Sequence, residues 1–422
     1  MNIQSIYQLF LDCGMNLSTD TRKIEPGAMF LALKGDNFNA NEFAMQALEK
    51  GAAYVIADEK KFDDERIIIV DNALKCLQDL AAYHRNLMPA RVIGIGGSNG
   101  KTTTKELMVS VFSTMYETHF TPGNLNNHIG VPLTLLNLRQ HHQLAVIELG
   151  TNRAGDIEEL CQIVNPDFGL ITNIGKEHLE GFGSIEGVAR AESELFDYLI
   201  KTNGYAFVNM DDQWLSSMSK RLKFFTGYST NSEDIGFVQT VPEIEFNFQN
   251  VHIHSVLPGW HNLQNIVAVL CVANHFNLPL DLIKKGIQRY KPSNNRSQVV
   301  RTAKGNTVML DAYNANPSSV EMALKTLEGM AGKKWIILGD MFELGEFEAS
   351  EHQSIANLCD QLADSETILV GKAFAACQGN KSHQFAAKKE AFEFVEHLNL
   401  KDALILIKGS RGMKMEEFLP LV

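Results

Sequence analysis

Gly94-Ile95-Gly96-Gly97-Ser98-Asn99-Gly100-Lys101-Thr102-Thr103-Thr104 is the stretch whose reading decides the fold. It follows a short apolar run, Arg91-Val92-Ile93, and precedes a segment of helical character, Lys101 to Met115. Strand, glycine loop and helix together make a phosphate cradle. Gly97 and Gly100 let backbone amides approach phosphate oxygens, and Lys101 brings a point charge to the terminal phosphates. The Thr102 hydroxyl is placed for Mg²⁺, and the helix N-terminus adds its positive end. A full-length phosphate loop has glycine at the position of Ile95, so this is a shorter form, Gly97-Ser98-Asn99-Gly100-Lys101-Thr102. The competing reading is a chance glycine-rich turn.

Working outward, the pattern predicts an α/β protein in three parts. Residues 1–89 form a small N-terminal α/β domain. An amphipathic helix (Ile3, Ile6, Leu9, Phe10) leads to the loop Ser18-Thr19-Asp20-Thr21-Arg22. Strands at 29–33, 54–57 and 67–70 alternate with helices at 42–50 and 73–87, and Pro89 marks a boundary. Residues 90–297 form a central domain built on a mainly parallel sheet, with buried strands at 144–147 and 169–174. Alternation at Ile244, Phe246, Phe248, Val251 and Ile253 predicts an antiparallel edge hairpin, followed by helices from His261 and Pro279. Residues 298–422 form a Rossmann-like, doubly wound domain of about 125 residues. Its strands lie at 308–310, 335–338, 368–370 and 404–407, and its ligands are expected at the strands' C-terminal ends.

Composition narrows the class. The chain has 422 residues and a net charge of −12, which argues against a nucleic-acid partner. Six scattered cysteines without a Cys-x-x-Cys pair read as free thiols in a reducing compartment. No signal peptide is expected at the N-terminus, and no apolar run approaches the roughly 20 residues of a membrane helix. A cytoplasmic protein without a membrane partner follows.

Four further groups carry chemistry. Glu148 ends a buried strand in the phosphate-loop domain, where a carboxylate serves Mg²⁺. His178 follows the strand at 169–174 at the same sheet edge, where an imidazole holds a metal or orients a carboxylate. The amides of Asn124, Asn126 and Asn127, with His128, suit a polar, peptide-like substrate, although an ordinary turn has the same composition. Arg22 with the hydroxyls of Thr19 and Thr21 suits a diphosphate, although Asp20 equally marks a capped turn.

Taken together, these strings resemble the Mur ligase family along the whole chain. The resemblance rests on the short loop Gly-Ser-Asn-Gly-Lys-Thr, on Met29–Gly35, and on Gly123-Asn124-Leu125-Asn126-Asn127-His128-Ile129-Gly130. Glu148-Leu149-Gly150, His178-Leu179-Glu180-Gly181-Phe182-Gly183 and Asp311-Ala312-Tyr313-Asn314-Ala315-Asn316-Pro317 add to it, with Gly339-Asp340-Met341 and Lys408-Gly409-Ser410-Arg411-Gly412. The resemblance implies an ADP-forming amide ligase of peptidoglycan precursor synthesis, using ATP and Mg²⁺. The two asparagine strings favour the member that adds D-alanyl-D-alanine to UDP-N-acetylmuramoyl-tripeptide. A folate-polyglutamate or diaminopimelate-adding ligase and a non-catalytic nucleotide-binding relative are the alternatives.

The family also implies roles. Thr19, Asp20, Thr21 and Arg22 meet the UDP-sugar, and Asn126, Asn127 and His128 meet the peptide. Gly97, Ser98, Asn99, Gly100, Lys101, Thr102 and Thr103 bind ATP, with Asn265 at the adenine, Arg296 at phosphate and Asp311 at the ribose. Asn314, Asn316, Ser318 and Arg411 receive the dipeptide. Thr102 and Glu148 hold one Mg²⁺, and His178 and Glu192 the other. Lys101, His178, Glu192 and Arg296 form the catalytic set. The family usually has a lysine, carbamylated by CO₂, where this chain has Glu192. A glutamate brings the negative charge without modification, but on a shorter arm that reaches Mg²⁺ through a water. A monomer suffices, and the third block is expected to close onto the second when ATP binds.

Overall fold

The computed structural model describes residues 1–379 and 381–422. Among them the chain forms two compact units that exchange the chain several times. The first comprises Met1–Ile95, Tyr116–Thr151 and Gly155–Gly169, and the second Gly96–Met115, Asn152–Ala154 and Leu170–Val422.

The first unit begins with helix Ile3–Asp12, capped by Asn2, which accepts from the Ser5 amide and turns Ile6, Tyr7 and Phe10 inward. A four-stranded parallel sheet follows, in the order Leu17–Ser18, Met29–Leu31, Tyr54–Ala57, Ile67–Ile69. Its core is rich in alanine (Ala32, Ala40, Ala44, Ala47, Ala52, Ala57) around Phe30 and Val55, so the covering helix sits close to the sheet. The helix expected over 42–50 is instead a 3-10 turn, Ala40–Phe43, running into helix Ala44–Glu49. Asn39 accepts the Asn41 amide and imposes the tight start. Helix Ala73–Leu87 has the expected bounds and starts at Asn72, which accepts from the Lys75 amide.

The sheet behind the phosphate loop has the order Phe225–Tyr228, Tyr205–Asn209, Phe168–Ile171, Arg91–Gly96, Leu144–Glu148, Thr118–Phe120. The strand expected to run to Ile174 stops at Ile171. Its continuation leaves the ladder because the Thr172 hydroxyl and Asn173 Nδ2 donate to the Asn99 carbonyl, at 2.6 and 2.8 Å. The expected edge hairpin is also corrected. Ile235–Gln239, Ile244–Phe248 and Val251–Ser255 form a separate three-stranded antiparallel sheet. Strand Phe225–Tyr228, parallel to Tyr205–Asn209, already occupies that sheet edge.

The last part of the second unit is doubly wound. Its six strands run in the order Gln298–Arg301, Thr307–Asp311, Leu404–Lys408, Lys334–Gly339, Ser365–Val370, His383–Phe385. All pairs are parallel except the first, an antiparallel edge. Apolar cores cover both faces, one around Leu324, Ile336 and Leu406, the other around Ile337, Ile405 and Phe418. A strand buried on both faces reads as a continuous apolar run, which is why these four central strands were legible.

Candidate functional site

The phosphate loop is held open by its neighbours in the second unit. Gly97 has φ +114°, and a Cβ there would lie 2.2 Å from Thr172 Oγ1. Gly100, at φ +81°, precedes helix Lys101–Phe112, and its Cβ would lie 2.5 Å from the Asn265 side-chain oxygen. Only glycine meets both demands, left-handed backbone and close approach. The loop is bonded to segment 173–175. The Ser98 amide donates to Asn173 O at 2.9 Å, and the Gly175 amide to Ser98 Oγ at 2.8 Å. Asn265, expected at the adenine, therefore stands beside the loop, on helix Trp260–His275.

Two carboxylates are buried against this loop. Glu192, from helix Ile185–Thr202, is 0% exposed and accepts from the Gly97 amide at 2.6 Å. Burial pushes its carboxyl up to about 7, against the pull of Lys101 and with the push of Glu177. Glu177 is 3% exposed and lies 3.5 Å from Lys101 Nζ. Burial raises its pKa as well, opposed by Lys101 and His178. Lys101 Nζ also donates to the Gly97 carbonyl. Among the described residues, one oxygen of each carboxylate has no hydrogen-bond partner. Buried carboxyl oxygens without donors, which a bound cation would hold in the anionic form, fit a divalent cation with oxygen ligands. Among the described residues, no group of three or more His, Cys, Asp or Glu is arranged to hold a metal by itself. Phosphate oxygens and hydroxyls have to complete the coordination.

His178 sits in the left-handed region, φ 43°, which turns its ring back from the start of helix Leu179–Phe182. Its Nδ1 is 2.6 Å from the Glu343 carboxylate. Burial opposes a charge on the ring, but that hydrogen bond and the charges of Glu177 and Glu343 outweigh it and raise the pKa. Lys176 pairs with Glu351 at 2.7 Å, and its amide donates to Ser318 Oγ at 2.9 Å. Asn316 divides its amide group. Its oxygen caps helix Pro317–Glu328, with Pro317 at the first position, and its nitrogen donates to Asn99 Oδ1 at 3.0 Å. The Asn-Pro string is thus a helix start as well as a contact to the phosphate loop.

Asp311 and Lys408 occupy paired positions on adjacent parallel strands and meet at 2.5 Å. Lys408 also donates to the Asn314 carbonyl, and the Ser297 amide donates to Asp311, both near 3 Å. Desolvation works to raise the Asp311 pKa, but Lys408 outweighs it and holds the carboxyl low. Burial pushes the neighbouring His261 down to about 4, leaving it neutral. The Arg296 guanidinium lies over the Tyr313 ring at 3.7 Å and that of Arg411 at 5.8 Å. One ring thus gathers two arginines that lie far apart in sequence.

In the first unit, Glu148 is 1% exposed and accepts from Asn126 Nδ2 at 2.9 Å. Asn127 Oδ1 accepts from the Ile129 and Gly130 amides at the start of helix Gly130–Leu135, while His128 is exposed. Asp20 caps the 3-10 turn Thr21–Lys23, and its carboxylate takes the Arg22 guanidinium at 2.8 Å. Arg22, with 84% of its side chain exposed, holds the Asp20 carboxyl well below the usual range. The structure shows the capped turn, with the guanidinium paired to Asp20 and open to solvent.

Sequence reasoning passed over Glu177, Lys408 and His261 as site groups. Lys408 opens a string already singled out and Glu177 directly precedes another, but their burial depends on segments distant in the chain.

A phosphate loop on a mainly parallel sheet, followed by a doubly wound sheet, defines a nucleotide-binding α/β architecture. The Mur ligase middle domain matches residues 95–273, the Mur ligase glutamate ligase domain 295–411, and the Mur ligase family catalytic domain 15–87, so the chain belongs to the Mur ligase family. Within it, the chain is 37% identical over 417 residues to the UDP-N-acetylmuramoyl-tripeptide–D-alanyl-D-alanine ligase of Buchnera aphidicola subsp. Baizongia pistaciae, covering 95% of this chain and 90% of that one. The crystal structure of MurF from Acinetobacter baumannii superposes with a TM-score of 0.87 at 32% identity, over 96% of this chain and 92% of that one. The MurF ligase of Thermotoga maritima in complex with ADP gives 0.87 at 26% identity, over 96% of each chain.

Proposed function

We propose that this chain joins D-alanyl-D-alanine to UDP-N-acetylmuramoyl-tripeptide, with ATP converted to ADP and phosphate, in peptidoglycan precursor synthesis. The observation that carries this reading is end-to-end similarity to ligases of that name, with an intact phosphate loop and lysine. The tripeptide carboxylate attacks the γ-phosphorus of ATP, giving an acyl phosphate and ADP. The dipeptide amine then attacks the acyl carbon, a C–N bond forms, phosphate leaves and the amine loses a proton. A carboxylate is a poor electrophile, and phosphorylation supplies the leaving group. The protein's part is positioning and charge stabilisation.

Bound Mg²⁺ supplies charge neutralisation at the phosphate oxygens. Thr102 and Glu148 are assigned to one ion, His178 and Glu192 to the other. Lys101 and Arg296 neutralise phosphate, and the amides of 97–103 cradle it. Asn265 and Asp311 are assigned to the adenosine. Thr19, Asp20, Thr21 and Arg22 take the UDP end, and Asn126, Asn127 and His128 the peptide. Asn314, Asn316, Ser318 and Arg411 take the dipeptide. Residues 1–89, 90–297 and 298–422 divide this labour. All six cysteines are free thiols, which supports a cytoplasmic setting. No helix among the described residues is long and apolar enough to cross a membrane. A monomer acting without nucleic acid completes the reading, and sedimentation velocity tests it.

The deciding assay is phosphate release from Mg-ATP with the UDP-tripeptide, with and without D-alanyl-D-alanine, in CO₂-depleted buffer. Release that requires both substrates is expected, because Glu192 carries its negative charge without carbamylation. Turnover with D-alanine or glutamate in place of the dipeptide sinks the assignment. Rescue of a silent enzyme by bicarbonate sinks the role of Glu192.

A further inference from the structure

Glu177 is a buried acid on the phosphate loop to which the roles above assign nothing. We propose that Glu177 is a further ligand of the divalent cation, acting with Glu192, and that Lys101 serves as its counter-ion when no metal is bound. This rests on the reading of residues 97–103 as the Mg-ATP loop.

Both carboxylates converge on one turn of that loop. Glu192 takes the Gly97 amide hydrogen, Lys101 donates to the Gly97 carbonyl, and Glu177 stands 3.5 Å from Lys101 Nζ. Both acids are more than nine-tenths buried, and Oε1 of each is enclosed without a donor. A carboxylate that served only to neutralise Lys101 would gain by turning its second oxygen to a protein donor, since a carboxylate oxygen buried without one is costly. Two such oxygens from separate elements, beside a phosphate cradle, are the donor set Mg²⁺ uses, with one or two carboxylates and the rest water and phosphate. Glu192 has a further constraint. Its Oε2 is committed to the Gly97 amide, so it has one oxygen left for a cation. A second carboxylate compensates for that short reach.

The test is Mn²⁺ binding to the full chain loaded with ADP, followed by electron paramagnetic resonance, in wild type, Glu177→Gln and Glu177→Asp. Glu177→Gln is expected to weaken Mn²⁺ by about tenfold or more, as loss of groups ordering a metal commonly does. Glu177→Asp, which keeps the charge, is expected to fall between. ADP binding without metal should be unchanged or tighter in Glu177→Gln, since a carboxylate near the phosphates is removed. Thermal melting gives a second readout. The extra stabilisation by Mg²⁺ over ADP alone, present in wild type, should be smaller in Glu177→Gln at the same Mg²⁺ concentration. Mn²⁺ affinity of Glu177→Gln within about threefold of wild type, with ADP binding intact, overturns this inference alone. Wild-type protein that binds no ADP overturns the Mg-ATP reading and this inference with it.

Discussion

At the scale of single residues, the site concentrates negative charge where solvent cannot reach it. Glu192 has its carboxyl raised from 4.5 to about 7 by burial. The folded metal-free protein therefore holds this proton more tightly than the unfolded chain does. Its contribution to stability is full below the unfolded pKa and is lost as pH rises through about 7. Metal-free Glu192→Gln should melt higher than wild type at pH 8, and the difference should shrink toward pH 5. Equal melting temperatures of the two proteins at both pH values count against a strained acid. Gly97→Ala tests the loop itself. Its Cβ would meet Thr172 Oγ1 at 2.2 Å, at a φ that alanine resists. A loss of ADP binding measured by calorimetry is expected, together with destabilisation of about 2 kcal/mol from strain and displaced contacts.

At the scale of elements, parallel strands Thr307–Asp311 and Leu404–Lys408 put an acid and a base side by side at their C-terminal ends. The two partners differ in burial, since the Lys408 side chain is 2% exposed and that of Asp311 21%. Removing one partner strands the other, and the cost follows the burial of the survivor. Asp311→Ala leaves a buried ammonium donating to the Asn314 carbonyl, so denaturant unfolding should show a loss of about 3 kcal/mol. Lys408→Met leaves a carboxylate that water reaches and the Ser297 amide supports, and should cost about 1 kcal/mol. The reverse order would mean that Asp311 is the more isolated charge.

At the scale of the molecule, contacts within the second unit join the phosphate loop and the segment around Lys176 to the doubly wound part, among them Asn99–Asn316, Lys176–Glu351 and His178–Glu343. Lys176–Glu351 is half open to water, with side-chain exposures of 42% and 11%, so its direct energy is modest. Glu351→Lys places like charges together and should raise the KM for ATP by about fivefold, equivalent to about 1 kcal/mol. Lys176→Glu with Glu351→Lys should restore it. A double variant as weak as the single shows that the pair does not report closure. Small-angle scattering with and without ATP and the UDP-tripeptide tests the expected movement of the third block, and identical curves count against it.

Much of the architecture was readable before the structure. The strand Leu144–Glu148 and the four central strands of the last sheet are apolar runs bounded by polar loops, and helix Ala73–Leu87 carries its own cap and periodic face. Such signals are local, so the chain's own order of residues determined these elements and the phosphate loop. The short edges Leu17–Ser18 and His383–Phe385 carried too few residues to show a period. The early end of the strand at Ile171 came from bonds to Asn99, which the local pattern does not contain. The site divides in the same way. Residue types named Lys101, Glu148 and His178 as candidates, because spacing and strand ends mark where such side chains stand. Only the tertiary structure decided that Glu177 is buried on Lys101, that Asn316 reaches Asn99, and that Lys408 faces Asp311. Burial and pairing of charge arise from segments brought together across the chain, and that assembly is what converts an ordinary loop glutamate into a group of the site.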